Sequence, residues 1–260
     1  MAKSALPAAA LKTVIFVRHG ESEYNKAMRE TGKDPLIRDA PLTGKGQSQA
    51  QEAGAVLQNL REKIPGPWLL VSSPLRRALD TAAGIWPEVF FSRVPSAGSV
   101  EVWPELREKI TGCDDIGTAS SELCLQYPHL QKQLAALKQV WWTVPDKLRH
   151  LPATGEDMAR AYAANEDLFE VADEENLKER IEQLLKKLAT AKESHLVVIA
   201  HCDLIGHLTQ RLGLTEQGKN KTRKGWWLRN CECRLLADFS FQNAISEGPV
   251  EVDSDSSSSS

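Results

Sequence analysis

Three short segments carry side chains suited to gripping a small anion and attacking it. The first is Arg18-His19-Gly20-Glu21-Ser22, which follows an apolar run and sets a guanidinium beside an imidazole. A histidine at the carboxyl end of a strand faces a crevice, and a glycine behind it lets the backbone turn tightly. The second is Ser72-Ser73-Pro74-Leu75-Arg76-Arg77-Ala78-Leu79-Asp80-Thr81, which follows another apolar run and opens a helix. Free amides at a helix start attract anions, and an arginine there adds a bidentate grip. The third, Ala200-His201-Cys202-Asp203, places a second histidine after a third apolar run. Each segment alone has a plainer reading: a solvated histidine in a turn, an arginine on a helix surface, a histidine capping the next helix. Two histidines and two arginines at the strand ends of one sheet are much harder to obtain by accident.

The elements that must position these residues follow from periodicity. Short apolar, β-branched runs predict strands at Thr13–Val17, Trp68–Ser72, Ser99–Trp103 and His195–Ala200, with Cys233–Phe239 as an edge strand. Helical spacing appears in Ala50, Ala53, Leu57 and Leu60 after Gly44, in Leu75, Leu79, Ala82 and Trp86, in Leu177, Ile181, Leu184 and Leu188, and in Leu204, Leu208 and Leu212. Pro65 and Pro87 stop the first two. This alternation predicts an α/β three-layer sandwich, a mostly parallel central sheet with helices on both faces. Residues 111–156 break the rhythm and read as an inserted cap-like region, with a helix expected around Leu130 to Val140 followed by Trp141-Trp142. The expected organisation is a flexible leader at 1–12, one domain at 13–246 and a disordered acidic, serine-rich tail at 247–260.

Bulk properties exclude several classes of function. The formal charge of −3 over 260 residues gives no global attraction to nucleic acid or to an anionic membrane. No apolar stretch approaches the roughly 20 residues that cross a bilayer. Five cysteines at irregular spacing, the nearest pair being Cys231 and Cys233, predict reduced thiols and a cytoplasmic location without a disulfide framework. The residues from Met1 to Lys12 lack the apolar core of a secretory signal, and a cleaved organellar peptide is the weaker alternative. No metal-ligand pattern is evident, and no sequence pattern encodes an oligomeric state.

Taken in order, the motifs resemble the histidine phosphatase superfamily, the phosphoglycerate-mutase-like proteins. The matching segments are Val17-Arg18-His19-Gly20-Glu21-Ser22 with Asn25, Asp39-Ala40-Pro41-Leu42-Thr43 with Gly46-Gln47, Ser73 to Ala78 with Thr81, Leu106-Arg107-Glu108, and Val198-Ile199-Ala200-His201. They span residues 13–212. The resemblance implies that His19 is the nucleophile, that Arg18, Arg77 and His201 hold the transferring phosphoryl, that Asn25 is a secondary phosphate contact and that Glu108 is the proton donor. Of the pair Arg76-Arg77, the one directly before Ala78 aligns with the family pattern. It implies no metal and no cofactor. The partner is then a small phosphorylated metabolite or a phosphoprotein, with no nucleic acid and no membrane. Neutral imidazole attacks phosphorus, and an ordinary pKa near 6.5 leaves most of it neutral at pH 7. A phosphohistidine divides one hard step into two, and fixed cations stabilise the charge on the equatorial oxygens.

Two departures matter. Cys202 stands where glycine often follows the second histidine, which raises the expectation of an oxidation-sensitive thiol beside a cationic pocket, against the plainer one of an inert buried thiol. The acid loop reads Glu105-Leu106-Arg107-Glu108-Lys109-Ile110-Thr111-Gly112 and lacks the Glu-Arg-His-Tyr-Gly signature of cofactor-dependent mutases. The expected activity is therefore metal-independent hydrolysis of a phosphomonoester. Phosphoglycerate mutase and a non-catalytic phospho-ligand-binding protein are the alternatives.

Overall fold

The strand His195–Ala200, here β4, sits in the middle of the sheet although it comes from the last third of the chain. The computed structural model describes residues 11–91, 99–150, 155–217 and 222–247. Its main sheet has five strands, β1 (Lys12–Arg18), β2 (Trp68–Ser72), β3 (Ser99–Val102), β4 (His195–Ala200) and β7 (Cys233–Phe239), in the order β3-β2-β4-β1-β7. The first four are parallel to one another, and β7 is antiparallel at the edge. A separate hairpin pairs β5 (Thr215–Gln217) with β6 (Thr222–Lys224).

The centre of the sheet is buried on both faces because β1, β2 and β4 carry unbroken apolar runs, as parallel strands under crossover helices must, whereas the antiparallel edge strand β7 is largely half-buried or exposed. Alternate residues feed two cores. Ile15, Val17, Leu70, Val197 and Ile199 pack with helices α2 (Gly44–Lys63) and α3 (Arg76–Ile85), with the short α4 (Pro87–Phe90), and with the insertion. Val14, Phe16, Leu69, Val71, Leu196 and Val198 pack with α8 (Glu166–Thr190), α9 (Cys202–Arg211) and α10 (Phe241–Glu247). This is the predicted layered α/β architecture.

Helix α1 (Glu23–Thr31) follows the first strand and was not anticipated from periodicity; Ser22 and Asn25 form a capping box at its start. Helix α3 has no cap of its own. Asp39 supplies one from a distance, its carboxylate accepting from Arg76 N–H (2.8 Å) while its other oxygen accepts from Thr118 N–H (3.0 Å).

Residues 111–156 contain α5 (Ser120–Gln126) and α6 (Gln131–Ala135), followed after 154 by α7 (Gly155–Ala164). The helix expected over Leu130–Val140 is shorter than the pattern suggested: it ends at Ala135. The chain turns there because Gln139 O accepts from Ser120 N–H (3.2 Å) and Trp141 Nε1 donates to Thr118 O (2.8 Å). Both tryptophans are drawn into the core. Of the leader expected at 1–12 and the tail expected at 247–260, residues 1–10 and 248–260 lie outside the described residues, while Lys12 begins β1 and Glu247 ends α10.

Candidate active site

The backbone around His19 is fixed before its ring is considered. Its N–H donates to Ala200 O (3.0 Å), and its carbonyl accepts from Cys231 N–H (3.2 Å) and Asn230 Nδ2 (3.1 Å). Gly20 N–H donates to Thr81 Oγ1 on α3 (3.0 Å). A Cβ on Gly20 would lie 2.6 Å from Gly46 O, and one on Gly46 would lie 2.1 Å from Glu21 O. The two glycines are needed because this turn and the start of α2 meet backbone to backbone.

The ring is oriented by two partners. Nδ1 lies 2.7 Å from Gly20 O, and since a carbonyl only accepts, the network assigns the proton to Nδ1. Nε2 therefore carries the lone pair, and Arg77 Nε–H points at it from 3.2 Å. Burial, and then the charges of Arg77 and Arg18, hold the imidazole well below its usual pKa. It is neutral at pH 7, with its lone pair aimed into a cationic pocket.

His201 caps α9, and its ring centre lies 5.1 Å from that of His19. Its Nε2 is 2.9 Å from Ser73 Oγ, at the end of β2. Burial, followed by Arg77, also holds this histidine well below the usual range. Arg18 donates through Nη1 to Leu228 O (3.0 Å). Arg18 Nε and His201 Nδ1 are buried without a hydrogen-bond partner. Asn25 reaches the cluster indirectly: its Oδ1 accepts from the same Asn230 amide (3.1 Å) that holds the His19 carbonyl.

Arg77 is 1% exposed, and its fork is already engaged. Nη1 donates to Asp114 O (2.6 Å) and pairs with the Asp114 carboxylate (3.2 Å), while Nη2 pairs with Asp115 Oδ1 (2.6 Å). Burial alone would lower its pKa, but Asp114 and Asp115 more than offset that, so the guanidinium stays charged. Burial raises the pKa of both aspartates, and Arg77 pulls each back.

Glu108 lies on the loop after β3. Its carboxyl accepts from Leu204 N–H (2.9 Å) and Asp203 N–H (3.2 Å) in the first turn of α9, and from Lys109 N–H (2.9 Å). Burial, then Asp115 and Asp203, push its pKa up to about 7. A group poised there can give up a proton and take it back at neutral pH. The loop is clamped from α8. Asp173 accepts from Ile110 N–H (3.0 Å) and Thr143 Oγ1 (2.5 Å), and pairs with Arg107 (3.4 Å) and Arg180 (3.2 Å). Arg180 in turn donates to Arg107 O (3.0 Å) and Glu108 O (3.2 Å).

The structure thus gathers His19, Arg18, Arg77, His201 and Glu108, with Asn25 one residue removed. Sequence reasoning missed Asp114, Asp115, Asp173, Arg180 and Asn230. Asp173 and Arg180 carried a signal, two opposite charges seven residues apart on the apolar face of a helix. Burial, outweighing Arg18, raises the Cys202 pKa to about 11, which favours the inert thiol of the two expectations. A groove of about 970 Å³ lined by Arg107, Trp142, Thr143 and Val171 lies between residues 138–149 and α8, and none of the four clustered cations or imidazoles lines it.

Comparison with known proteins gives this geometry a lineage. A sequence profile of the histidine phosphatase superfamily (branch 1) matches residues 14–236. A glucosyl-3-phosphoglycerate phosphatase of Mycolicibacterium vanbaalenii is 39% identical over 75 residues, 29% of this chain and 29% of that protein. A 2,3-bisphosphoglycerate-dependent phosphoglycerate mutase 2 of Bacteroides thetaiotaomicron is 26% identical over 197 residues, 74% of this chain and 73% of that protein. Several of the matches are partial, spanning between 24% and 34% of the relatives' own length. A solved mycobacterial glucosyl-3-phosphoglycerate phosphatase superposes with a TM-score of 0.42 at 22% identity, covering 77% of this chain and 81% of that one. With the profile running from the first strand to the last, the chain belongs to the histidine phosphatase superfamily, branch 1.

Proposed function

We propose that the chain is a metal-independent phosphatase that hydrolyses a phosphomonoester through a phosphohistidine on His19. The observation that carries this reading is the neutral His19 ring, with Nδ1 tied to Gly20 O and the Nε2 lone pair facing Arg77. In the first step Nε2 forms a bond to phosphorus, the ester P–O bond breaks, and the Glu108 carboxyl gives its proton to the departing oxygen. In the second, the Glu108 carboxylate takes a proton from water, the water oxygen attacks phosphorus, and the N–P electrons return to Nε2. Arg18 and Arg77 offset the charge on the equatorial oxygens, and the unpartnered Arg18 Nε and His201 Nδ1 are polar atoms that phosphoryl oxygens would satisfy. Substrates are small phosphorylated metabolites, the class named for the relatives. Five free cysteines support a reducing, cytoplasmic setting, and no described helix is long and apolar enough to cross a membrane.

Mutase action is the second reading, favoured by the alignment to a mutase over 74% of the chain. A mutase must hold its substrate's own acid group through two transfers. The cations flanking Glu108 are turned elsewhere, Arg107 to Thr143 and Asp173 and Lys109 to Glu174, which favours transfer to water. Purified protein with p-nitrophenyl phosphate and a panel of phosphorylated metabolites, in chelator and beside His19→Ala, tests the proposal. Turnover that disappears in the variant is expected, with an acid-labile phosphoryl on wild-type His19 in rapid-quench samples. Full rate in His19→Ala refutes the mechanism. Interconversion of 3- and 2-phosphoglycerate, primed by the bisphosphate, replaces the hydrolase reading with the mutase one.

A further inference from the structure

The carboxylate of Asp115 is divided between two jobs. Oδ1 pairs with Arg77 Nη2 at 2.6 Å. Oδ2 accepts from Thr111 N–H (3.0 Å) and Gly112 N–H (3.2 Å), on the loop that carries Glu108. The residue is 4% exposed, so neither link is replaced by water when it breaks. The same guanidinium aims its Nε–H at His19 Nε2 (3.2 Å). Asp115 is thus the bridge between the guanidinium that orients the imidazole and the loop that presents the acid.

We propose that Asp115 is a positioning residue that couples Arg77 to the proton donor Glu108, so that one carboxylate sets both the grip on the phosphoryl and the readiness of the acid. This rests on the phosphatase reading above. The electrostatics agree with the geometry. After burial, Asp115 is the largest influence raising the Glu108 pKa, ahead of Asp203. The charges facing Asp115 are Arg77 from α3, Asp114 beside it, Glu108, and Asp173 and Arg180 from α8, with Tyr24 of α1 and Tyr162 of α7 as neutral phenols and Cys113 as a neutral thiol. Those facing Glu108 are Asp115, Asp203, Asp114, Arg77 and Arg180, with Cys202 as a neutral thiol. Asp115 as an anion makes it harder for Glu108 to lose its proton. Removing that charge lowers the Glu108 pKa and withdraws the acid at neutral pH.

Asparagine at this position is a sharp probe, because it has one acceptor oxygen where aspartate has two. It can serve Arg77 or the two loop amides, but not both. The test compares phenyl phosphate with p-nitrophenyl phosphate, substrates with the same ring, of which only the first needs a proton on its leaving oxygen. Asp115→Asn is expected to lose about 100-fold in kcat/KM on phenyl phosphate and about tenfold on p-nitrophenyl phosphate, since a general acid is worth about 10²–10⁴-fold. The basic limb of the phenyl phosphate profile moves toward acid by about one pH unit. Asp115→Glu keeps the charge and displaces the carboxylate by one methylene. It should leave that limb in place and still lower the phenyl-to-nitrophenyl rate ratio, and it serves if the asparagine variant does not fold. A carbon-13 carboxyl NMR titration of Glu108, assigned by Glu108→Gln, reads the coupling without turnover. Its midpoint is expected to fall in Asp115→Asn. An unmoved midpoint with equal losses on both substrates reduces Asp115 to a structural anchor and overturns the proposal. Absence of wild-type turnover on any phosphomonoester overturns the phosphatase reading instead, and the titration still decides the coupling.

Discussion

Replacing Asp173 by alanine should damage stability and activity together, and the structure sets the size of the effect. Asp173 is completely buried, and it is the counter-ion of Arg180, which is 3% exposed. It also pairs with Arg107, whose pKa burial and the nearby Arg180 charge lower to about 10. Asp173→Ala leaves these two like charges facing each other without the anion between them. Removing one partner of a buried pair costs about 3–5 kcal/mol, because a buried charge is left uncompensated. At about 2–4 °C per kcal/mol for a chain of this size, the melting temperature should fall by about 6–20 °C. Urea unfolding followed by circular dichroism measures the loss, and phenyl phosphate hydrolysis at a temperature where the variant is folded measures the released acid loop. The pair Asp173→Leu with Arg180→Met should recover most of the stability, since apolar packing often replaces a buried ion pair at no cost. It should not recover activity, because the Arg107 and Glu108 carbonyls lose their donor. A loss below about 1 kcal/mol in Asp173→Ala, or a double variant less stable than the single, would refute the clamp.

Three further outcomes follow from the same geometry. Glu108→Gln should remove the basic limb of the rate profile and lower kcat by about 10²–10⁴-fold on phenyl phosphate. The same variant should be more stable than wild type at pH 8. The folded pKa of about 7 lies above the ordinary 4.5, so the stabilisation from protonated Glu108 is full below 4.5 and is lost as pH rises through 7; over that span the penalty approaches about 3 kcal/mol. His19 and His201 act in the opposite direction, because both fold with depressed pKa values and the unfolded chain binds more protons below 6.5. The urea midpoint should therefore fall as pH drops below 6.5, less steeply in His201→Gln than in wild type. Gly46→Ala, whose Cβ would meet Glu21 O, should lower the melting temperature and abolish turnover by displacing the His19 turn, an overpacking cost of about 1–3 kcal/mol.

Much of this site was legible because it depends on strand ends. β1, β2 and β4 each carry an unbroken apolar run, Val14–Val17, Trp68–Val71 and Leu196–Ala200, and Arg18, Ser73 and His201 stand just beyond where these runs stop. Helices α2, α3, α8 and α9 announced themselves by spacing. The rest depends on tertiary contact. Asp114 and Asp115 sit in a single 3-10 turn (Cys113–Asp115) too short to leave a periodic pattern, and only the fold brings them to Arg77, 37 and 38 residues away in sequence. The cap on α3 comes from Asp39, 37 residues upstream of Arg76. The helix over Leu130–Val140 has the propensity to continue, but Gln139 and Trp141 are claimed by Thr118 and Ser120. Helix α1 begins with Ser22 and Asn25, a capping box with asparagine in the place usually taken by glutamate or glutamine.

The central position of β4 has a consequence for how the chain emerges during synthesis. β1 and β2 do not touch in the sheet; each pairs with β4, which lies between them. A ribosome that has released the first two-thirds of the chain has made His19, Arg77 and Glu108 but not the strand that brings them together. Those segments must wait with unpaired parallel edges, a form that invites chaperones and aggregation. Insertion of β4 then closes the sheet and delivers His201 in the same event. Catalytic competence should therefore arrive in a single late step, and C-terminally truncated products should be inert rather than partly active.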